Sequence, residues 1–174
     1  MIKKIYRRLQ IFFVPGAIKK NFRLISNENK YLLAEKIKDI YIPTISSNTS
    51  EEKLLFEVQE HLESRVIVDR MRVIPWLSKN LKLENLHILE IGCGTGSSSI
   101  TLAEQGAKVV GIDIHKESLE IAKYRSEVYN LDIEFIESSS VDIDKLDKNF
   151  DAIILYATLE HLTFEERLIT LKNC

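Results

Sequence analysis

Cysteine, proline and tryptophan are scarce in this chain of 174 residues, with two, three and one copies respectively. Two cysteines cannot build a disulfide framework, which indicates a reducing compartment and predicts a cytoplasmic protein. No stretch approaches the ~18–20 apolar residues that span a bilayer. The formal net charge of −2 gives no general attraction to nucleic acid or to an anionic membrane. Because 45% of the residues are hydrophobic, the chain has ample material for a packed core, which excludes a disordered protein.

The charges are unevenly distributed along the chain. Residues 1–40 carry a net charge of +7, whereas the remainder carries −9. An apolar stretch at residues 11–18 lies between basic pairs, but it is short and a Pro-Gly pair interrupts it, which argues against a signal peptide. Two interpretations stay open: a basic arm that covers the core, or an interfacial segment that places Phe12 and Phe13 in a membrane surface.

A polar stretch at residues 45–50 is a candidate linker. Thr49 and Glu52 have capping-box spacing, so a helix is predicted to begin there. We therefore expect a basic N-terminal arm and linker over residues 1–48, with a helical segment ahead of the sheet, and one domain over residues 49–174.

After residue 85, segments typical of strands alternate with segments of helical periodicity. Strands are predicted at residues 87–91, 108–112, 133–136 and 151–155. Helices are predicted at residues 97–105, at 116–130 and from Thr163 onwards. The alternation indicates an α/β fold, in which a parallel sheet with right-handed crossovers is flanked by helices.

Three glycines separate the first predicted strand from the helix that follows it. Without Cβ atoms, Gly92, Gly94 and Gly96 let backbone N–H groups approach a ligand at a helix N-terminus. Asp113 ends the second strand, 21 residues after Gly92, where an acidic side chain can accept both hydroxyls of a ribose. The sequence therefore predicts a nucleoside site at the carboxyl edge of the sheet. Ser97 stands where the dinucleotide fingerprint has its third glycine, which disfavours a dinucleotide oxidoreductase.

The segment Leu89–Ser97 resembles motif I of the class I S-adenosylmethionine-dependent methyltransferases, and Asp113 matches that family's ribose-binding acid. The resemblance extends from about residue 76 to residue 171. It includes Phe150–Leu162, which is similar to the family's fourth strand and the loop after it. It implies a Rossmann-like parallel sheet, S-adenosyl-L-methionine as the cofactor, and methyl transfer to a small-molecule or lipid-like acceptor.

The resemblance also implies roles for single residues. The glycine turn would pass beneath the methionyl part of the cofactor, and Glu90 would help to fix that turn and the amino group. Ile114 would lie against the adenine, and Tyr156 stands where relatives touch the cofactor. Ser139 and Ser140 occupy the place where many relatives have an acidic residue and a small one near the adenine amino group.

Three further side chains have open assignments. Arg72 is the candidate to bind the cofactor carboxylate, and Arg70 is its rival. His161 is the candidate catalytic residue, because an imidazole suits a general base for a substrate hydroxyl, although it could equally order its loop. The histidines and cysteines show no paired ligand spacing, so no metal site is expected. The basic N-terminal segment lacks a platform of interleaved aromatic residues on which bases could stack, so no nucleic acid is expected as a partner.

The family domain has seven strands, whereas four are predicted here. We therefore expect the first half of that fold, as a fragment, a natural truncation, or a chain completed by a partner. The edge of the fourth strand would favour self-association. The alternative function is a non-catalytic nucleoside-binding or interaction module with the same half-fold.

Overall fold

The computed structural model describes residues 21–45 and 50–174. Two helical segments precede the sheet. The first contains α1 (Asn27–Lys36), a π-helical turn (Ile37–Tyr41) and α2 (Ile42–Ile45). The second contains α3 (Glu51–Gln59), α4 (Arg65–Val68) and α5 (Ile74–Leu77), which alternate with π-helical turns at Glu60–Ser64 and Asp69–Val73.

A parallel sheet of four strands follows, in the order β3-β2-β1-β4. Its strands are β1 (His87–Ile91), β2 (Lys108–Asp113), β3 (Ile133–Glu137) and β4 (Ala152–Ile154). The connecting helices are α6 (Ser97–Ala103), α7 (Lys116–Tyr129) and a 3-10 helix (Ser140–Leu146). A short 3-10 turn (Leu159–His161) and α8 (Phe164–Asn173) complete the order. β1 and β2 are in register with Ile91 opposite Ile112, so both strands end at one edge.

The two faces of β1 bury different sets of side chains, as alternation along a strand requires. Ile88 packs with Leu102 and Val109 on one face. Leu89 and Ile91 pack with residues of β2 and the 3-10 helix on the other. Helices therefore cover both faces of the central strands, as in other parallel sheets.

The segment α1–α2 belongs to the same packed body as the sheet. Its buried residues Leu33 and Ile37 form one cluster with Ile100 of α6 and Ile121 of α7. The placing of a domain boundary at residues 48 and 49 stays a prediction. The apolar stretch at residues 11–18 lies outside the described residues.

The α/β class, the parallel sheet and the helical segment ahead of it are confirmed. Thr163 and Glu166 form the predicted capping box at the start of α8. At α3, the hydroxyl of Ser50 accepts the capping hydrogen bond from Lys53 N, and Thr49 lies outside the described residues. In the described part of the chain, no helix is long and apolar enough to cross a membrane.

Candidate functional site

The loop between β1 and α6 has a backbone that only glycine adopts without strain. Gly92, Gly94 and Gly96 have φ angles of 72°, 52° and 79°, in the left-handed region. The amides of Gly92 and Cys93 both donate to the carbonyl of Ile112, which joins the loop to the end of β2. A Cβ at Gly94 would have no atom within 4 Å, so the outer face of the loop is open to a ligand.

Asp113 lies beside this loop at the end of β2. Its Oδ2 accepts from the amide of Gly94 at 2.9 Å, and its Oδ1 accepts from the amide of His115 at 2.9 Å. Nδ1 of His115 lies 3.2 Å from the same Oδ1, and the side chain of Asp113 is 11% exposed. Both oxygens are therefore held, while a small part of the carboxylate faces solvent. The structure therefore brings together the glycines and the acid that the sequence predicts to form a nucleoside site.

Glu90 lies in β1 beneath the loop and is buried. The hydroxyl of Ser99 donates to its Oε2. Burial raises the pKa of Glu90 to about 7, and the nearby charge of Asp69 adds to the rise. Asp69, in the second helical segment, accepts a hydrogen bond from Ser98 at 3.1 Å, and burial raises its pKa to about 6. Two neighbouring serines of α6 thus donate to two buried carboxyl groups. These hydrogen bonds hold α6 against β1 and against the π-helical turn Asp69–Val73.

An open hollow of about 490 Å³ lies beside the residues that follow the ends of β2 and β3. Ile114, which is 62% exposed, lines it together with Ser139 and Ile136. Ser140 is turned away from the hollow, because it is buried and its hydroxyl accepts from Thr170 of α8 at 2.9 Å. Of the two predicted serines, Ser139 is therefore the one that borders the space beside Ile114.

The helical segments cover the loop from the other side. His61 is buried, with its ring 4.5 Å from that of Tyr41 and its Nδ1 3.4 Å from the hydroxyl of Thr95 in the loop. Burial lowers the pKa of His61 to about 3, so its ring is neutral at pH 7. Burial raises the pKa of Tyr41, and the charge of Asp113 adds to that rise. The side chains of Tyr41 and His61 thus form a roof beside Thr95 of the loop.

The other predicted residues are less closely tied to the loop. Arg72 and His161 have exposed side chains, and Tyr156 is 45% exposed in the loop after β4. Arg70 is engaged elsewhere: its guanidinium pairs with Glu104 at the end of α6 and lies 4.7 Å from the ring of Phe22. Arg70 is therefore not free to bind a ligand carboxylate, whereas Arg72 stays a prediction.

Several polar residues at the site have no motif of their own. Asp69, His61 and Arg125 are buried around the loop, but in the sequence they lie within ordinary helical patterns. The run of serines at residues 97–99, directly after the glycines, was the available signal, since it provides the hydroxyl partners of both buried carboxyl groups. Residues 21–45 and 50–174 contain no group of three side chains that could hold a metal ion.

Comparison with known proteins identifies related sequences. The family model described as a methyltransferase domain matches residues 88–174. The chain is 34% identical over 104 residues to a ubiquinone biosynthesis O-methyltransferase of Coxiella burnetii, covering 58% of this chain and 42% of that protein. It is 34% identical over 83 residues to the cypemycin N-terminal methyltransferase of a Streptomyces species, covering 48% and 33% respectively. The chain thus spans less than half the length of these curated relatives.

Solved structures share the fold. The magnesium protoporphyrin IX methyltransferase of Synechocystis, solved with bound S-adenosylmethionine, has a TM-score of 0.56 at 22% identity, over 85% of this chain and 71% of that one. A methyltransferase of Archaeoglobus fulgidus has a TM-score of 0.54 at 24% identity, over 69% and 50%. The family match covers half of the chain and includes the glycine loop and Asp113. The chain therefore belongs to the methyltransferase-domain family, and its sheet has the Rossmann-like fold of these solved methyltransferases.

Proposed function

We propose that this chain binds S-adenosyl-L-methionine at the glycine loop and forms the cofactor-binding part of a methyltransferase. The observation that carries the proposal is the hydrogen bond between Asp113 and the amide of Gly94, which sets a carboxylate beside an open glycine turn. The part of that carboxylate that faces solvent would accept further hydrogen bonds from the hydroxyls of a ribose.

The residues around the loop fit the parts of this cofactor. Asp113 would take the ribose, and Ile114, Ser139 and the rest of the hollow would take the adenine. Gly92, Gly94 and Gly96 would leave room for the methionyl part, while Glu90 would hold the loop from below through Ser99. Arg72 would bind the carboxylate of the cofactor, and Tyr156 would contact the cofactor from the loop after β4. Ser140 would support the adenine side of the site through its hydrogen bond with Thr170.

The cofactor supplies a methyl group on a sulfonium, which is already activated for displacement. The task of the protein is then mainly alignment, at about 3–3.5 Å from the acceptor atom. His161 would accept the proton of a hydroxyl acceptor, since an imidazole suits a general base.

For the acceptor, we propose a small molecule or a lipid-like molecule. A relative named for O-methylation in ubiquinone biosynthesis supports a hydroxyl on such a molecule. The same proposal includes a cytoplasmic location and at most peripheral membrane contact, through the basic N-terminal segment. It also includes self-association through the edge of β4. We further propose that residues 1–48 work as an appended segment to a domain over residues 49–174.

Isothermal titration calorimetry of the 174-residue chain tests the cofactor. S-adenosylmethionine and S-adenosylhomocysteine should bind, and NAD and NADP should give no comparable heat. Preferential binding of NAD would overturn the proposal. A labelled methyl group then separates catalysis from the alternative: binding without transfer to any phenolic or lipid-like acceptor would favour a nucleoside-binding module.

A further inference from the structure

Arg125 of α7 is completely buried, yet its hydrogen-bond partners are backbone carbonyls rather than a carboxylate. Its Nε donates to the carbonyl of Thr95 at 2.7 Å, and its Nη1 donates to the carbonyl of Leu62 at 3.1 Å. Its Nη2 donates to the carbonyl of His61. Among the described residues, no acidic side chain forms an ion pair with it.

A buried guanidinium is costly unless its donors are paired, so these three carbonyls are what keeps Arg125 in place. Burial lowers the pKa of Arg125 to about 10, and the side chain stays charged at pH 7. The planar fork of arginine suits acceptors that lie in different directions. One side chain therefore holds two segments that are far apart in the sequence: the glycine loop and the π-helical turn Glu60–Ser64.

Two other contacts hold the glycine loop, one from the π-helical turn and one from α7. The ring of His61 lies 3.4 Å from the Thr95 hydroxyl, measured from Nδ1. A Cβ on Gly96 would lie 3.0 Å from Cβ of Ala122, so α7 packs directly against the loop one turn before Arg125. Thr95 stands between Gly94 and Gly96, whose left-handed backbone has little stiffness of its own. External support is therefore needed to keep the loop in one conformation.

We propose that Arg125 is a positioning residue for the cofactor site, which holds the glycine loop and the roof formed by Tyr41 and His61 in register through backbone carbonyls. The inference rests on the proposed function, because it concerns the same loop. Arg125 is buried and its hydrogen bond to the loop goes to the carbonyl of Thr95, so it would act on a ligand through the position of Gly94 and Gly96.

The test compares Arg125→Met with Ile121→Ala. The first variant keeps an unbranched side chain that fills the space of the arginine stem, and it removes the three donor atoms. The second lies one turn earlier on α7, is fully buried against α1 and α6, and lowers stability without touching the loop. For each, urea unfolding gives the stability, amide hydrogen exchange gives the protection of Thr95 and Gly96 without ligand, and calorimetry gives the affinity for S-adenosylhomocysteine.

At matched native population, Arg125→Met should raise exchange at Thr95 and Gly96 by about tenfold or more over Ile121→Ala, and should weaken the affinity about tenfold. Equal changes in the two variants, or unchanged affinity in Arg125→Met, would overturn the proposal. If Arg125→Met does not fold, Arg125→Lys replaces it, because an ammonium keeps the charge but cannot reach both segments.

The two proposals fail in different ways. If neither the parent nor Ile121→Ala binds S-adenosylhomocysteine, the proposed function fails. If the protection of the loop amides against exchange is then lost only in the Arg125 variant, the link between the loop and the π-helical turn is still supported. If that protection is kept, the link is overturned.

Discussion

The carboxyl edge of β1 and β2 and the side of the sheet at β4 and α8 differ sharply in how they are built. At the first, β1 is buried on both faces, and the loop is held by Asp113, Arg125 and the backbone of Ile112. At the second, β4 has only three residues, all half-buried. The outer side of α8 exposes four large apolar side chains, those of Phe164, Leu168, Ile169 and Leu171.

This difference shows that, among the described residues, most of the buried charged side chains cluster around the glycine loop. Buried carboxyl groups, serines and a guanidinium surround the glycine loop, and each is costly to bury without a partner. Near β4, the chain has a second hollow of about 380 Å³, bordered by Phe150 and Ile153 and by charged residues that include Asp144, Asp147 and Lys148. Among the described residues, no buried charged side chain lies on β4 or α8. The second region instead has exposed charged and apolar side chains.

The largest expected effect separates two glycines of the loop. Gly96→Ala should lower the free energy of unfolding by about 3 kcal/mol, because alanine is strained in the left-handed backbone conformation and its Cβ would lie 3.0 Å from Ala122 of α7. Gly94→Ala should cost only about 1 kcal/mol, since its Cβ meets no atom within 4 Å. Urea unfolding measures both. Equal costs would show that the loop is not packed against α7.

The next effect concerns the buried carboxyl of Glu90. Because its pKa is raised from 4.5 to about 7, the folded state retains a proton that the unfolded state releases above pH 4.5. The stability that Glu90 contributes is therefore fully present below pH 4.5 and falls as the pH rises to about 7. Glu90→Gln removes this dependence.

Urea unfolding of the parent and of Glu90→Gln between pH 4.5 and pH 8 measures the Glu90 effect. The variant should gain on the order of 3 kcal/mol relative to the parent over this range. His61, with its lowered pKa, acts in both proteins and cancels in the difference. Asp69 is coupled to Glu90 through its charge, so the measured difference includes that coupling. A difference that does not change with pH would contradict the burial of a neutral Glu90.

A charge removed from each region gives a smaller, selective effect. Asp113→Asn should weaken S-adenosylhomocysteine binding about tenfold or more, because one oxygen that accepts from an amide is replaced by a donor. Asp147→Asn is the matched control near β4: Asp147 is exposed with a φ of 48°, which asparagine tolerates. Calorimetry should find the affinity of the control unchanged. Equal losses would place the ligand outside the glycine loop.

The smallest effect is expected on α8. Leu168 is 55% exposed, so Leu168→Gln should change the free energy of unfolding by no more than about 0.5 kcal/mol. A loss of several times this size in urea unfolding would mean that Leu168 is covered in solution, for example by a second copy of the chain. Sedimentation of the parent and the variant would then show different masses.

The sequence was most informative where one residue type has one physical meaning. The alternation of strand segments with helical segments predicted the parallel sheet, and the three glycines with Asp113 predicted the loop that the structure contains. Thr163 and Glu166 predicted the start of α8 for the same reason, since capping uses local contacts.

The remainder depends on contacts between distant residues. Nothing local marks Asp69 or Arg125, because the acceptor and donor groups they meet lie 29 to 64 residues away. The different orientations of Ser139 and Ser140 follow from the packing of α8, which places Thr170 against Ser140. The occupied guanidinium of Arg70 depends likewise on Glu104.

The central claim is that the cofactor binds at the glycine loop, and amide chemical shifts during a titration with S-adenosylhomocysteine test it most directly. The account predicts the largest shifts at Gly92–Gly96 and Asp113–His115, with smaller ones around Ser139, and none beyond noise at Leu168–Leu171. Shifts concentrated on β4 and α8, or none at millimolar ligand, would contradict it.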